Sequence, residues 1–336
     1  MRIGVMGVHY GHIGGMLASA MAAPDAEMVG LVEPDDELYA RHGGERGLRR
    51  YTSLAEMLDE ARPEIVLEGV RHRDKAALVE ACAAAGAHVL LDKPLCYDLQ
   101  DWERIRAAVR AHGTGLSMWF TSRSHPPFIA LRDAIGDGEL GEIVSLISTH
   151  PHKLDRSRGP AWYFDSDAYT GTFHDLACHG VDQVRWLTGG EYTGVHALQT
   201  CGKFADEPAL IDHCQASFQL STGALATLTA DWLTPAASPS FGDTRCIVMG
   251  TEGSAHLRAY AGDHLLVVSG RRGPHEPALP EGRGQAFVQD MIEAIGRGEE
   301  PLVSTGDVLA VAQACLCAQE SARRHGEFLP VETGTA

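Results

Sequence analysis

Apolar and polar positions along the first third of the chain switch repeatedly between two periods. Arg2 to Met6 is a short apolar run that predicts a buried strand leading straight into a glycine-bearing turn. Ile13, Met16, Leu17 and Ala20 then recur at three- and four-residue spacing, one buried face of a helix. Ala26 to Val32 predicts a second strand ending at Glu33, and Ile65 to Val70 a third. Asp74 to Ala85 repeats the helical period through Ala77, Leu78, Ala81, Cys82 and Ala85, with Gly86 placed to end it. His88 to Leu91 is a further buried strand. Strands alternating with helices of this length predict βαβ units and a doubly wound parallel sheet.

The pattern changes after Ser117. Ile143 to Thr149 and Val195 to Cys201 are strand-like, and His213 to Leu220 alternates Cys214, Ala216, Phe218 and Leu220 with His213, Gln215, Ser217 and Gln219. Such alternation belongs to an antiparallel strand with one face off the core. Ser221-Thr222-Gly223 turns the chain into Ala224 to Asp231. Helical spacing returns at Phe287, Met291, Ile292 and Ile295, and again at Val308, Val311, Ala312, Cys315 and Leu316. The expected architecture is an α/β domain over 1–118 and an α+β domain with an antiparallel sheet over 119–336.

Composition narrows the partners. The chain has 336 residues, suited to two domains at roughly 150 each. Lys+Arg 28 against Asp+Glu 45 gives a formal net charge of −17, which repels phosphate backbones and anionic membrane surfaces. Nucleic acid and membrane are therefore not expected partners. No apolar run reaches the ~20 residues of a spanning helix, and Met1 to Gly7 lacks the layout of a secretory leader. Eight cysteines stand singly, without a CxxC pair, and are expected as reduced thiols of a cytoplasmic protein.

Three stretches carry chemistry. Gly7-Val8-His9-Tyr10-Gly11-His12 lies between the first strand and the first helix. There a G-x-G-x-x-G turn lets bare backbone approach a pyrophosphate. Only the first glycine keeps its position; His9 and His12 replace the other two. Glu33 follows Gly7 by 26 residues, near the ~20-residue spacing of the carboxylate that binds the adenine ribose. That carboxylate repels a 2′-phosphate, and Pro34-Asp35-Asp36 brings no arginine to receive one, so NAD is favoured over NADP. The second stretch, Asp92-Lys93-Pro94, sits at the carboxyl end of a parallel strand, where such sheets bind ligands. A lysine beside a carboxylate there is suited to proton transfer, although most lysines are plain surface groups. In the third, Asp175, His179 and Asp182 share one helical face, opposite Ala177, Val181, Val184 and Leu187. A carboxylate one turn from a histidine fixes its tautomer and raises its basicity; the plain alternative is an incidental pair on an exposed helix.

Together these stretches resemble the Gfo/Idh/MocA family, relatives of glucose–fructose oxidoreductase and inositol dehydrogenase. His88-Val89-Leu90-Leu91-Asp92-Lys93-Pro94-Leu95 is similar to the family's HVxxEKP, and Phe120-Thr121-Ser122-Arg123 to its fnxRf. Gly138 to Ile143, the DxxxHxxD element from Asp175 to Asp182, Gly250 to Ser254 and Phe287 to Pro301 follow in the family's order. Asp92 replaces a usual glutamate, and Glu68 to Asp74 departs from the family's atPxxxH.

The resemblance implies a Rossmann domain followed by a domain with a large open, mainly antiparallel sheet. It implies an NAD(P)-dependent dehydrogenase or reductase of a polyol, sugar or sugar derivative, with Lys93, Asp175 and His179 catalytic. The expected cofactor contacts are Gly7, His9, Tyr10, Gly11, His12, Ile13, Glu33, Arg71, Asp92, Lys93 and Pro94. Substrate would meet Lys93, Asp175 and His179, with Arg123, His150, His152, Lys153, Trp162 and Tyr163 as further candidates. His179, oriented by Asp175, is the preferred base and Lys93 the oxyanion partner, although these roles are exchangeable. Among the 17 histidines, His150, His152, His174 and His179 could in principle converge on zinc, but no paired motif with ligand spacing supports it and no metal is expected.

Two other classes remain open: a lyase or glycosidase acting through transient sugar oxidation, and a non-catalytic NAD- or sugar-binding regulator. A regulator has no use for an acid/base set. The outer sheet face, read as Gln, Ser, Thr and His, predicts a homodimer or homotetramer.

Overall fold

The computed structural model describes residues 1–9, 11–154, 161–207 and 209–332. The first part of the chain runs β1 (Arg2–Met6), α1 (Ile13–Ala22), β2 (Glu27–Val32), α2 (Asp36–His42), β3 (Arg50–Tyr51), α3 (Leu54–Glu60), β4 (Ile65–Glu68), α4 (Lys75–Ala84), β5 (His88–Leu91), α5 (Leu99–His112) and β6 (Leu116–Met118). The six strands form one parallel sheet in the order β3-β2-β1-β4-β5-β6. β4 is buried at all four positions, as a strand covered by helices on both faces must be. Side chains cap the helices where composition allows: Asp35 accepts from the Glu37 and Leu38 amides, and Asp98 from the Asp101 amide.

The second part runs α6 (Pro126–Gly136), β7 (Ile143–Pro151), α7 (Cys178–Thr188), β8 (Tyr192–Thr200), β9 (His213–Leu220), β10 (Leu225–Asp231), β11 (Thr244–Gly250), β12 (Gly253–Ala259), β13 (His264–Ser269), β14 (Gly273–His275), α8 (Phe287–Arg297), α9 (Thr305–Arg323) and β15 (Leu329–Pro330). Its nine strands are ordered β14-β13-β12-β11-β7-β10-β9-β8-β15. All pair antiparallel except β7 with β10, which are parallel because the chain returns beside β7 only after building α7, β8 and β9. Inward residues such as Leu146, Phe218, Leu228 and Val248 pack beneath the helices.

The outer face differs from its sequence reading. Besides Gln215, Ser217 and Thr227 it exposes Ile147, Leu198, Leu225, Met249 and Val268. These apolar residues are interleaved with polar ones on five different strands, so no single strand advertises them.

α9 joins the two parts. A Ser304–Asp307 capping box starts it. The Leu116 amide then donates to Thr305 Oγ1 at 2.9 Å, and Trp102 Nε1 to the Leu309 carbonyl at 2.9 Å. Nearer its far end, Ser321 Oγ accepts from the Ala197 amide at 2.8 Å. Among the described residues no helix is long and apolar enough to cross a membrane.

Candidate active site

Doubly wound sheets bind ligands beyond the carboxyl ends of their strands, where the strand order reverses. Here that point lies between β1 and β4. Gly7 leaves β1 at φ +73° and donates its amide to the Val32 carbonyl at 2.9 Å. A Cβ at Gly7 would sit 2.6 Å from Val70 Cγ1, so a side chain is barred by both conformation and space. Gly11 and Gly14 are different: a Cβ on either would meet no atom within 4 Å. Bare backbone faces open space at the start of α1, the cradle that a dinucleotide's pyrophosphate fits. Ile13 is buried beneath it, and Tyr10 lies outside the described residues.

The two histidines standing where glycines were expected hold this turn from either side. His12 pairs through Nδ1 with Asp92 Oδ1 at 2.8 Å, and its amide donates to Asp92 Oδ2 at 3.1 Å. His9 Nε2 lies 3.4 Å from Glu33 Oε1, a contact that raises the imidazole pKa above its ordinary value. Glu33 is turned inward, 1% exposed, and accepts from the Val8 amide at 3.0 Å and the Asp35 amide at 2.9 Å. An arginine does stand beside it, contrary to the sequence reading. Arg50 arrives from β3, donating to the Glu33 carbonyl at 2.9 Å, the Pro34 carbonyl at 2.8 Å and Asp36 Oδ1 at 2.6 Å. Arg71 is exposed, bonds Asp74 at 2.9 Å and opposes the charging of His9.

At the end of β5, buried Asp92 accepts the Lys93 amide at 2.8 Å; the Lys93–Pro94 peptide is cis. Behind this turn lies a fully buried pair that the sequence reading missed, Lys75 Nζ and Glu68 Oε2 at 2.9 Å. Lys75 also donates to the Asp92 carbonyl at 2.6 Å, and burial pushes the Glu68 carboxyl up to about 7. The only sequence signal was an acid ending an apolar strand and a lysine opening an alanine-rich helix.

Lys93 is 3% exposed, and its ammonium donates to Asp175 Oδ1. This replaces the expected contact between Asp175 and His179. Phe173 to Ala177 forms a π-helical turn ahead of α7, wider than an α-turn, so four-residue spacing no longer stacks Asp175 under His179. The carboxylate reaches across to Lys93 instead. His179 lines a cavity of about 190 Å³ together with His12, His150, His152, Gln183, Tyr260 and the rim residue Phe241. Its Nδ1 has no hydrogen-bond partner among the described residues. Burial, and then the Lys93 charge, hold its pKa well below the usual histidine value, so the ring is a neutral base. His150 and His152 are likewise held down, to about 3 and about 4, chiefly by burial.

Other candidates lie elsewhere. Arg123 is committed within the protein and does not line this cavity. It bonds Asp182 at 2.6 Å, Asp307 at 3.0 Å and the Leu302 carbonyl at 2.6 Å, tying α7 to α9. Asp182 is thereby fully buried and committed to Arg123. Trp162 and Tyr163 belong to an aromatic cluster, Trp162 lying edge-on to His72 at 4.9 Å. Lys153 Nζ donates to the Ser238 carbonyl. None of these four lines the cavity. Among the described residues no three His, Cys, Asp or Glu side chains are grouped to hold a metal ion.

Residues 1–120 match the model of the oxidoreductase family with an NAD-binding Rossmann fold, and 128–256 match the GFO/IDH/MocA C-terminal domain. The chain belongs to the Gfo/Idh/MocA family. It is 33% identical over 186 residues to the myo-inositol dehydrogenase Hyg17 of Streptomyces leeuwenhoekii, covering 53% of this chain and 52% of that one. The chain spans about half the length of curated relatives such as this. Against the scyllo-inositol 2-dehydrogenase (NAD(+)) of Bacillus subtilis it is 22% identical over 310 residues, 90% of this chain and 88% of the other. A solved levoglucosan dehydrogenase in complex with NADH and levoglucosan superposes with a TM-score of 0.85 at 22% identity over 99% of both chains. Gfo/Idh/MocA membership thus agrees with both halves of the fold.

Proposed function

We propose that this protein is an NAD-dependent dehydrogenase or reductase acting on a CH–OH group of an inositol-like polyol or a sugar. One observation carries the reading: the neutral His179 lines a cavity next to the bare-backbone turn at α1, and the ammonium of the Lys93–Asp175 pair lies close enough to depress its proton affinity. Gly7, Gly11 and the start of α1 would hold the dinucleotide's phosphates, and the region of Glu33 its adenosine end. When bound, the nicotinamide supplies the carbon that accepts or returns the hydride.

Oxidation of an alcohol takes a hydride from carbon and a proton from oxygen. His179 takes that proton on its imidazole, and Lys93 donates a hydrogen bond to the same oxygen, stabilising its developing charge. Asp175 holds the Lys93 ammonium in place. Relatives named for inositol and for levoglucosan support the polyol class, and NAD is the preferred cofactor because Glu33 and Asp36 surround Arg50.

A panel of polyols and sugars with NAD or NADP, followed by reduced-nicotinamide absorbance, tests the reading. Lys93→Ala and His179→Ala are each expected to lose ~10²–10⁴-fold in turnover with NAD affinity retained. Near wild-type activity in either variant would remove that residue from the mechanism.

Assembly is part of the same proposal. The outer face of the nine-stranded sheet carries Ile147, Leu198, Leu225, Met249 and Val268 between polar residues, with Arg245 and Arg258 the charged ones on β11 and β12. Such a face suits a two-fold partner, and we expect a homodimer or a tetramer of two dimers. Light scattering giving a mass near 36.1 kDa would overturn it. The eight free cysteines fit a reducing cytoplasm.

A further inference from the structure

Asp175 has a second partner besides Lys93. Its Oδ2 accepts the phenol of Tyr169 at 2.9 Å, and the phenol oxygen accepts Trp232 Nε1 at 3.3 Å. Tyr169 is 4% exposed, Asp175 0% and Trp232 3%. The direction of these bonds is fixed by chemistry. An indole N–H only donates, and an ionised carboxylate only accepts, so the phenol must accept from Trp232 and give its one proton to Asp175. Burial moves the Tyr169 pKa well above the ordinary phenol value, keeping that proton in place. The ring is held by Tyr163 at 5.1 Å and His72 at 5.5 Å.

We infer that Tyr169 is a positioning residue for the Lys93–Asp175 pair, favouring the ionised carboxylate and keeping it aimed at the ammonium. The inference rests on the proposed function for its catalytic meaning, but the hold on Asp175 is a property of the resting protein. A hydrogen bond to the charged form favours that form, so removing the phenol proton donor raises the proton affinity of Asp175. His72, His152 and His174 are the histidines that face this carboxylate, and burial keeps all three neutral. Lys75 adds a buried cation behind it, and the adjacent Cys178 thiol is pushed above its ordinary range by burial. Neither the three histidines nor the Cys178 thiol is expected to titrate near pH 5 to 8.

Two readouts on Tyr169→Phe separate this role from plain packing. Carbon-13 NMR of aspartate-labelled protein follows the Asp175 carboxyl without any substrate, and its titration is expected to move up by about one pH unit. The acid limb of kcat/KM on the best polyol is expected to move up with it, while the KM for NAD stays unchanged. Trp232→Phe, which leaves Tyr169 in place but frees its oxygen, is expected to move both in the same direction by less, and it serves if Tyr169→Phe does not fold. An Asp175 titration unmoved in these variants overturns the inference, whatever happens to melting temperature. A shifted titration with an unshifted acid limb overturns it as well. If no polyol is turned over by the wild type, the proposed function falls, and the carboxyl titration still decides whether Tyr169 holds Asp175.

Discussion

The imidazole of His150 rests directly on the backbone of Gly180, so closely that a Cβ there would lie 2.2 Å from Nε2. A glycine inside α7 costs the helix about 1 kcal/mol relative to alanine, and here its bareness lets β7 bring His150 to the wall of the cavity. Gly180→Ala is expected to lose more to the clash than it gains in helix propensity, a net ~1–3 kcal/mol. Thermal melting checks the stability. Steady-state kinetics should show a raised KM for the polyol with NAD binding intact, and unchanged values on both measurements would show that the ring yields freely.

Arg123 gives the opposite expectation from a substrate ligand. Arg123→Ala leaves Asp182 and Asp307 facing each other around a lost cation, and breaking such a buried pair costs about 3–5 kcal/mol. The loss should be visible in denaturant melts, whereas the KM of whatever protein stays folded should be near that of the wild type. A raised KM with normal stability would return Arg123 to the substrate site.

Acid should weaken the fold through buried histidines. His150, His152 and His174 are held at about 3, 4 and 3, against 6.5 for a free histidine, with burial the leading cause for each. Between pH ~6.5 and ~4 the unfolded chain therefore binds more protons than the folded one. The stability is present in full above 6.5 and is lost as pH falls, on the order of 1 kcal/mol per pH unit for each histidine. Melting temperatures from pH 7.5 to 5 should drop steeply, and His174→Gln should flatten the slope.

Cofactor choice turns on Arg50, whose side chain is already committed to Asp36 and to the Pro34 and Glu33 carbonyls. NAD is expected to bind at least about tenfold tighter than NADP, about 1.4 kcal/mol in the free energies that calorimetry reports. Asp36→Ala frees one guanidinium nitrogen and should narrow that gap. Tighter NADP binding by the wild type would defeat the prediction.

How much of this was legible beforehand depended on whether a feature was local. β1, β4, β5 and β9 were readable because continuous or alternating apolar runs are recorded in the strand itself. α2 was missed because it buries no residue and so shows no stripe. The short β3 carries too few residues to show a period. Lys93, Asp175 and His179 stood out through their flanking residues. Their pairing was misread because a π-turn changes the angular meaning of a four-residue interval. Tyr169, Arg50 and the pair of Lys75 with Glu68 act through folded contacts between elements, and spacing along the chain carries no trace of those.

α9 bears on how the molecule comes apart. One helix satisfies the amide of Leu116 and the indole of Trp102 on the nucleotide-binding side, and the amide of Ala197 on the other. The nucleotide-binding half is therefore not a finished module: cutting the chain after 118 would strip Trp102 and β6 of their cover. The two halves should melt together as one cooperative unit, giving a single calorimetric transition. A helix shared in this way resists the halves swinging apart, so substrate and product are expected to pass the exposed Phe241 at the cavity rim.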